Sequence, residues 1–236
     1  MAGMTQMTRK DADATMTTAS LEPVSTRPQS LTDIAFDRIR TAILTRKLEP
    51  GTRVSEAMLG EMLQVSKTPV REALLRLCYV GLVEPTTRGL RVVLPNSTII
   101  RNAYEVRIGL ETVAAQLAAG RATEEQRAGI IAAASSSLQS ARAEDSDGFA
   151  RWDREFHLSV AAASGNDLLA KAVEDSVTLA FTLRSRDVLT VDDSVRCGRH
   201  HVGISRTIKK GDGELASKQM QEHIMSVTEF VLTAVS

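Results

Sequence analysis

The sequence predicts a mostly α-helical protein in two parts: three short helices closed by a β-hairpin, then an all-helical antiparallel bundle. Three observations carry this. Only 3% of the 236 residues are aromatic while 43% are apolar, so the cores have to be built from Leu, Ile, Val, Ala and Met, which suits packed helices. Alanine-rich runs at 113–119 and 131–134 favour helix by propensity. Beyond Pro95-Asn96 only helical signals appear, whereas before that point helices are followed by two short β-type runs.

Residues 1–30 carry charges and Thr/Ser but no apolar core, which excludes a secretory signal and reads as a flexible tail, with Met1, Met4 and Met7 as alternative starts. A first helix is expected over 31–46, with Ile34, Phe36, Ile39 and Ile43 toward the core, and Leu48-Glu49-Pro50-Gly51 turns the chain. Ser55 caps a short second helix holding Met58, Leu59, Met62 and Leu63. Residues 63–77 then read L-Q-V-S-K-T-P-V-R-E-A-L-L-R-L. A polar turn, Gln64 to Lys67, leads into a helix opened by Thr68 and Pro69; Pro has no N–H and is tolerated only in a first turn, which Ser66 or Thr68 can cap. Val70, Leu74 and Leu77 form its buried stripe, and Lys67, Thr68, Arg71 and Arg76 lie off it. The helix ends near Gly81. Residues 82–85, 86–89 and 90–94 read strand, tight turn, strand. Three helices and a small hairpin make a winged helix-turn-helix domain over 31–95, with Arg88 and Gly89 at the tip of the wing.

The remainder, 96–236, divides into helices at about 98–119, 123–145, 147–164, 166–187, 193–210 and 213–234, separated by Gly120, Asp147-Gly148, Ser164-Gly165-Asn166, the polar stretch 190–194 and Gly211-Asp212-Gly213. Six helices of this length make an antiparallel bundle. Net charge is zero overall, but 31–95 holds ten Lys/Arg against seven Asp/Glu, and 96–236 holds sixteen against nineteen. A mildly basic first part beside a mildly acidic second part fits nucleic-acid contact by the first alone. Cys78 and Cys197 have no CxxC spacing and read as reduced thiols of a cytoplasmic protein, Cys78 as packing on the third helix. No apolar run approaches the roughly 18 residues that would span a bilayer, so no membrane partner is expected.

The third helix has the chemistry to enter a major groove, with apolar residues seating it and short polar and cationic groups at its N-terminal end reaching phosphates and base edges. The string P-G-T-R-V-S-E…L-Q-V-S-K-T-P-V-R-E-A-L-L-R-L…G-L-V…G resembles the DNA-binding domain of GntR-family transcription regulators. Y-E-V-R-I-G-L-E-T-V-A-A-Q-L-A-A (104–119), D-R-E-F-H-L-S-V-A-A-A-S-G-N (153–166), H-V-G-I-S-R-T-I-K-K-G-D (201–212) and Q-E-H (221–223) are similar to the FCD effector domain of the FadR subfamily. The resemblance covers about 31–234, and six effector helices make it more similar to the shorter, VanR-like version. It implies a homodimeric regulator, a repressor, that binds a double-stranded, pseudo-palindromic DNA operator through Ser66, Lys67, Thr68, Arg71, Arg88 and Gly89. Three departures stand out. Gln64 occupies a position that usually carries Gly, and a positive φ there strains Gln by about 1 kcal/mol. Lys67 replaces the usual Arg, which loses bidentate recognition of guanine. Ala57 stands where some relatives place a DNA-contacting Arg.

By spacing alone Asp153 and His157, four apart, are an intrahelical pair, and Arg107 with Glu111 is a surface pair worth a few tenths of a kcal/mol. The resemblance implies more: Asp153, His157, His201 and His223 converge on a divalent metal ion, Zn²⁺, Ni²⁺ or Mn²⁺, and Arg107 faces the same cavity to hold the carboxylate of a small organic acid effector. His200 would point about 100° away from His201 on a helix and reads as a surface or outer residue. Arg184 and Arg186 read as ordinary charged helix residues, and Trp152 and Phe156 as packing. The alternative function is a metal-dependent hydrolase using the same Asp/His set, but the sequence has no H-E-x-x-H string to position a general base.

Overall fold

The computed structural model describes residues 30–184 and 190–234; the tail expected at 1–30 (save Ser30), Arg186 and the last two residues lie outside the described residues. The first core is built by α1 (Leu31–Leu44), β1 (Arg53–Val54), α2 (Glu56–Leu63), α3 (Lys67–Tyr79), β2 (Val83–Thr86) and β3 (Gly89–Val92). Ala35, Phe36, Ile39 and Ile43 of α1 pack against Leu59, Val70, Leu74 and Leu77. Ile34, expected inside, is 38% exposed, and Ala35 takes its place in the core. Ser55 caps α2 as expected, its hydroxyl accepting from the Met58 N–H at 3.1 Å. The hairpin β2–β3 pairs Val83 with Val92 and Thr86 with Gly89. A strand not foreseen, β1, lies on the other side of β3, giving the antiparallel order β1-β3-β2. Two residues carry no periodicity, so only their pairing with Arg91 and Leu90 reveals this strand.

The second core belongs to six helices among the described residues: α4 (Ser97–Arg121), α5 (Glu124–Arg142), α6 (Ser146–Ala163), α7 (Asp167–Leu183), α8 (Val191–Lys210) and α9 (Gly213–Thr233). Side-chain caps start each of them: Asn96, Thr123, Asp145, Asn166, Thr190 and Asp212 accept from the N–H three residues on. The core is small and aliphatic where helices meet closely. At Gly198 of α8 an added Cβ would sit 2.7 Å from the Leu138 Cα of α5, so only glycine permits that approach. The close contact brings α8 to the α5 hydroxyl used below.

From Leu31 onward the chain packs as one unit. Leu179 of α7 touches both cores. Gly81, at φ +76°, passes beneath it, where a Cβ would lie 3.3 Å from Leu179 Cδ2. Polar links run alongside: Arg40 donates to Glu174 at 2.8 Å, and Arg46 donates to the Arg184 carbonyl at 3.0 Å. No helix among the described residues is long and apolar enough to cross a membrane.

Candidate metal centre and nucleic-acid interface

The turn between α2 and α3 is made by Gln64 in the left-handed region, φ 56° and ψ 42°, so the strain foreseen for a non-glycine residue applies here. Ser66, Lys67, Thr68 and Arg71 are all exposed on one side of the α3 N-terminus. Ser66 occupies the cap position but its hydroxyl accepts no capping bond, which leaves first-turn N–H groups available to an anion. Arg71 is not free-standing. Its Nε and Nη2 donate to both oxygens of Glu56 at 2.8 and 3.0 Å, aligning the guanidinium across α2 and α3. The wing tip holds Arg88, exposed, with Thr86 Oγ1 accepting from its N–H at 3.2 Å and donating to the Gly89 carbonyl at 2.9 Å. Gly89 has φ +110°, which a side chain would strain.

Inside the bundle, α6 contributes Asp153 and His157 from one face, α8 contributes His201 and α9 contributes His223, all at most 2% exposed. His223 Nε2 lies 3.3 Å from both His201 Nε2 and His157 Nε2. Asp153 Oδ1 lies 3.4 Å from His201 Nε2 and 3.6 Å from His157 Nε2. Ligand bonds of about 2.0–2.2 Å around a tetrahedral ion place donor atoms about 3.3–3.6 Å apart, so the spacing fits a zinc-like cation. Protons alone serve this cluster poorly, because each facing pair of imidazole nitrogens needs one proton and no more.

Two of the outward nitrogens are also held in place. His157 Nδ1 donates to Glu111, and His201 Nδ1 lies 3.0 Å from Ser137 Oγ on α5. Such outer bonds fix the tautomer and turn Nε2 inward. Among the described residues, His223 Nδ1 is buried without a partner, and so is Gln219 Oε1 one turn earlier on α9. Both residues line a cavity of about 170 Å³ between α8 and α9, together with His200, which stands outside the cluster as expected.

Charge in the site is balanced by a buried network. Arg107 is 2% exposed, donates through Nε to Glu111 at 2.7 Å, and its Nη2 lies 3.3 Å from His157 Nε2. The surface-pair alternative for Arg107 and Glu111 is therefore excluded. Burial pushes the Glu111 carboxyl up, but the adjacent Arg107 charge outweighs it and holds the group at about 2. Burial likewise raises Asp153, yet hydrogen bonding from His157 and the charge of Arg184 bring it far below the ordinary carboxylate range. Burial pushes His201 down to about 3 and His223 well down, keeping neutral rings with lone pairs to offer. His157 moves the other way, because the Glu111 charge overrides its desolvation.

Two residues were missed in the sequence. Arg184, read as an ordinary helix residue, places Nη1 3.3 Å from Asp153 Oδ2. Cys197, read as an unremarkable thiol, belongs to the buried donor group of Asp153, His201 and His223, whose ligand atoms all lie within 4.8 Å of one another. The i,i+4 spacing of Cys197 and His201 was the one signal that could have found it. Cys78 is half-buried against the first core, in keeping with a packing role.

Comparison with known proteins agrees with both halves. The model of the bacterial regulatory proteins of the gntR family matches residues 31–89, and the FCD domain model matches residues 102–226. The "HTH-type transcriptional repressor RspR" of Escherichia coli K12 is 25% identical over 194 residues, covering 82% of this chain and 85% of that protein. The "Probable D-xylose utilization operon transcriptional repressor" of Paenarthrobacter nicotinovorans is 30% identical over 195 residues, covering 80% and 83%. Among solved structures, E. coli McbR/YncC has the same fold, with a TM-score of 0.74 at 20% identity over 88% of this chain and 99% of that one. These matches point away from the hydrolase alternative and toward DNA. The chain belongs to the GntR family of bacterial transcription regulators, with a winged helix-turn-helix followed by an FCD domain.

Proposed function

We propose that this regulator is a cytoplasmic, homodimeric repressor whose operator affinity is set by a small organic acid bound at a metal centre. The observation that supports it most is the convergence of Asp153, His157, His201 and His223 in the buried interior of a bundle joined to a winged helix-turn-helix domain. Those four residues would hold a divalent ion, which would act as a Lewis acid toward a carboxylate oxygen. Arg107, whose Nη2 already faces His157 Nε2, would hold the other end of the acid. A bound acid changes DNA affinity only if it binds the competent and incompetent forms differently.

Two copies are required to read a palindrome through successive major grooves. The surface that suits a second copy is an apolar groove along α4 and α7, where Leu168 is 84% and Val106 54% exposed beside Leu110 and Leu179. Contact with DNA falls to Ser66, Lys67, Thr68 and Arg71 on α3 and to Arg88 and Gly89 on the wing. Glu56 occupies Nε and Nη2 of Arg71, which leaves Nη1 for a phosphate. Arg71→Ala should weaken binding to specific and non-specific duplex alike and lower the slope of log K against log salt by about 1. Fluorescence anisotropy over a salt series checks this; an unchanged slope would remove Arg71 from the interface.

The function as a whole is tested by metal analysis of purified protein, followed by a thermal-shift screen of small carboxylates with and without chelator. A stabilising acid that fails after chelation, and that releases operator duplex, is the expected result. Stabilisation that survives chelation would separate the acid from the metal and overturn the arrangement.

A further inference from the structure

Cys197 lies on α8 one turn before His201, 3% exposed, a member of the bundle core whose sulfur also borders the Asp153/His201 cluster. Sγ is 3.7 Å from His201 Nε2 and 3.9 Å from Asp153 Oδ1. A zinc ion with Zn–S of about 2.3 Å and Zn–N or Zn–O of about 2.0–2.2 Å sets sulfur and its neighbouring donors about 3.5–3.7 Å apart. The thiol stands near that spacing from His201 and Asp153, and the four donors, spread over up to 4.8 Å, would draw together around an ion. On the opposite side, His157 is engaged at both nitrogens, by Glu111 through Nδ1 and by Arg107 beside Nε2. Asp153, His201 and His223 therefore belong to two overlapping sets of four donors, one closed by His157 and one closed by Cys197.

We infer that Cys197 is a direct thiolate ligand of the metal ion, and that this centre selects a thiophilic cation of the Zn²⁺ or Co²⁺ kind over Mn²⁺. As the metal–sulfur bond forms, the S–H bond breaks and the proton leaves to solvent; no electron changes hands. Thiolate donors favour zinc-type ions, whereas carboxylate and imidazole alone leave Mn²⁺ competitive. The inference rests on the metal reading above, and cobalt separates the two.

The experiment is titration of the metal-free full-length protein with Co²⁺, followed by absorption. Visible ligand-field bands report that the ion is bound, and a near-ultraviolet thiolate-to-cobalt charge-transfer band reports sulfur in its coordination sphere. Both are expected in the native protein, and Cys197→Ser should lose the second while keeping the first. The Zn²⁺-over-Mn²⁺ affinity ratio should then fall by at least about tenfold, since even outer partners of metal ligands change affinity by roughly 10–100-fold. Cys78→Ser should leave both bands unchanged. Ligand-field bands without charge transfer in the native protein, or charge transfer lost in Cys78→Ser alone, overturn the thiolate. Absence of both bands overturns the metal centre and the thiolate with it. The native spectrum decides the question without any variant; Cys197→Ala serves if the serine protein does not fold.

Discussion

His201→Ala should abolish the stabilisation of this protein by zinc. A ligand at 100 to 1,000 times its dissociation constant stabilises the native state by about 2.7–4.1 kcal/mol. For a chain of this size each kcal/mol moves the melting temperature by roughly 2–4 °C, so saturating zinc should raise it by on the order of 5–16 °C in the native protein. His201 is the residue to remove because its ring is fully buried, its Nδ1 is held by Ser137, and its Nε2 touches both His223 Nε2 and Asp153 Oδ1. Calorimetry of the metal-free and zinc-loaded forms of both proteins gives the answer. A variant that still gains several degrees from zinc would show that the ion sits elsewhere.

Arg107→Met should destabilise the metal-free protein by about 3–5 kcal/mol, the cost of leaving one member of a buried ion pair without its partner. Arg107 and Glu111 are both buried, bonded at 2.7 Å, with His157 on the far side of the carboxylate. The double variant Arg107→Met/Glu111→Gln removes both charges and should recover part of the loss. The effect has a definite pH course. Glu111 has its folded value depressed to about 2, so its contribution is complete above the ordinary carboxyl value near 4.5 and is lost as pH falls toward 2. The gap between native and Arg107→Met should therefore narrow as pH falls below about 4.5. Urea titrations at several pH values measure this, and a gap below about 1 kcal/mol at neutral pH would mean that water screens the pair.

The first domain was legible in the sequence because its signals are local. Ser55 before an apolar run, Pro69 in a first turn and the Thr-Thr-Arg-Gly turn each act within a few residues, and α2, α3 and the hairpin formed where those signals placed them. Divisions between the bundle helices were equally visible through Gly120, Gly165, Gly211 and the polar stretch 190–194, while the Asn, Thr and Asp side chains that cap the helix starts emerged only in the structure. What stayed hidden depends on partners distant along the chain. β1 exists only through pairing with β3, the Glu56 grip on Arg71 spans two helices, and Ile34 lost its core position to Ala35 because packing against α3 decides the rotation of α1. The site shows the same division. Histidines are rare enough in this chain to be noticed, whereas a cysteine and an arginine look ordinary until the fold carries Cys197 and Arg184 to within 4 Å of Asp153.

Arg184 meets the candidate metal centre with its side chain, on Asp153, and the DNA-binding half with its backbone, where the carbonyl accepts from Arg46 in the turn after α1. If the two halves share free energy through that residue, the exchange has to run both ways with one coupling constant. Whatever factor an occupied centre applies to operator affinity, a bound operator applies to the affinity for the ion. A duplex of the operator would then act as a handle on the buried metal, tightening or loosening its hold from outside the bundle.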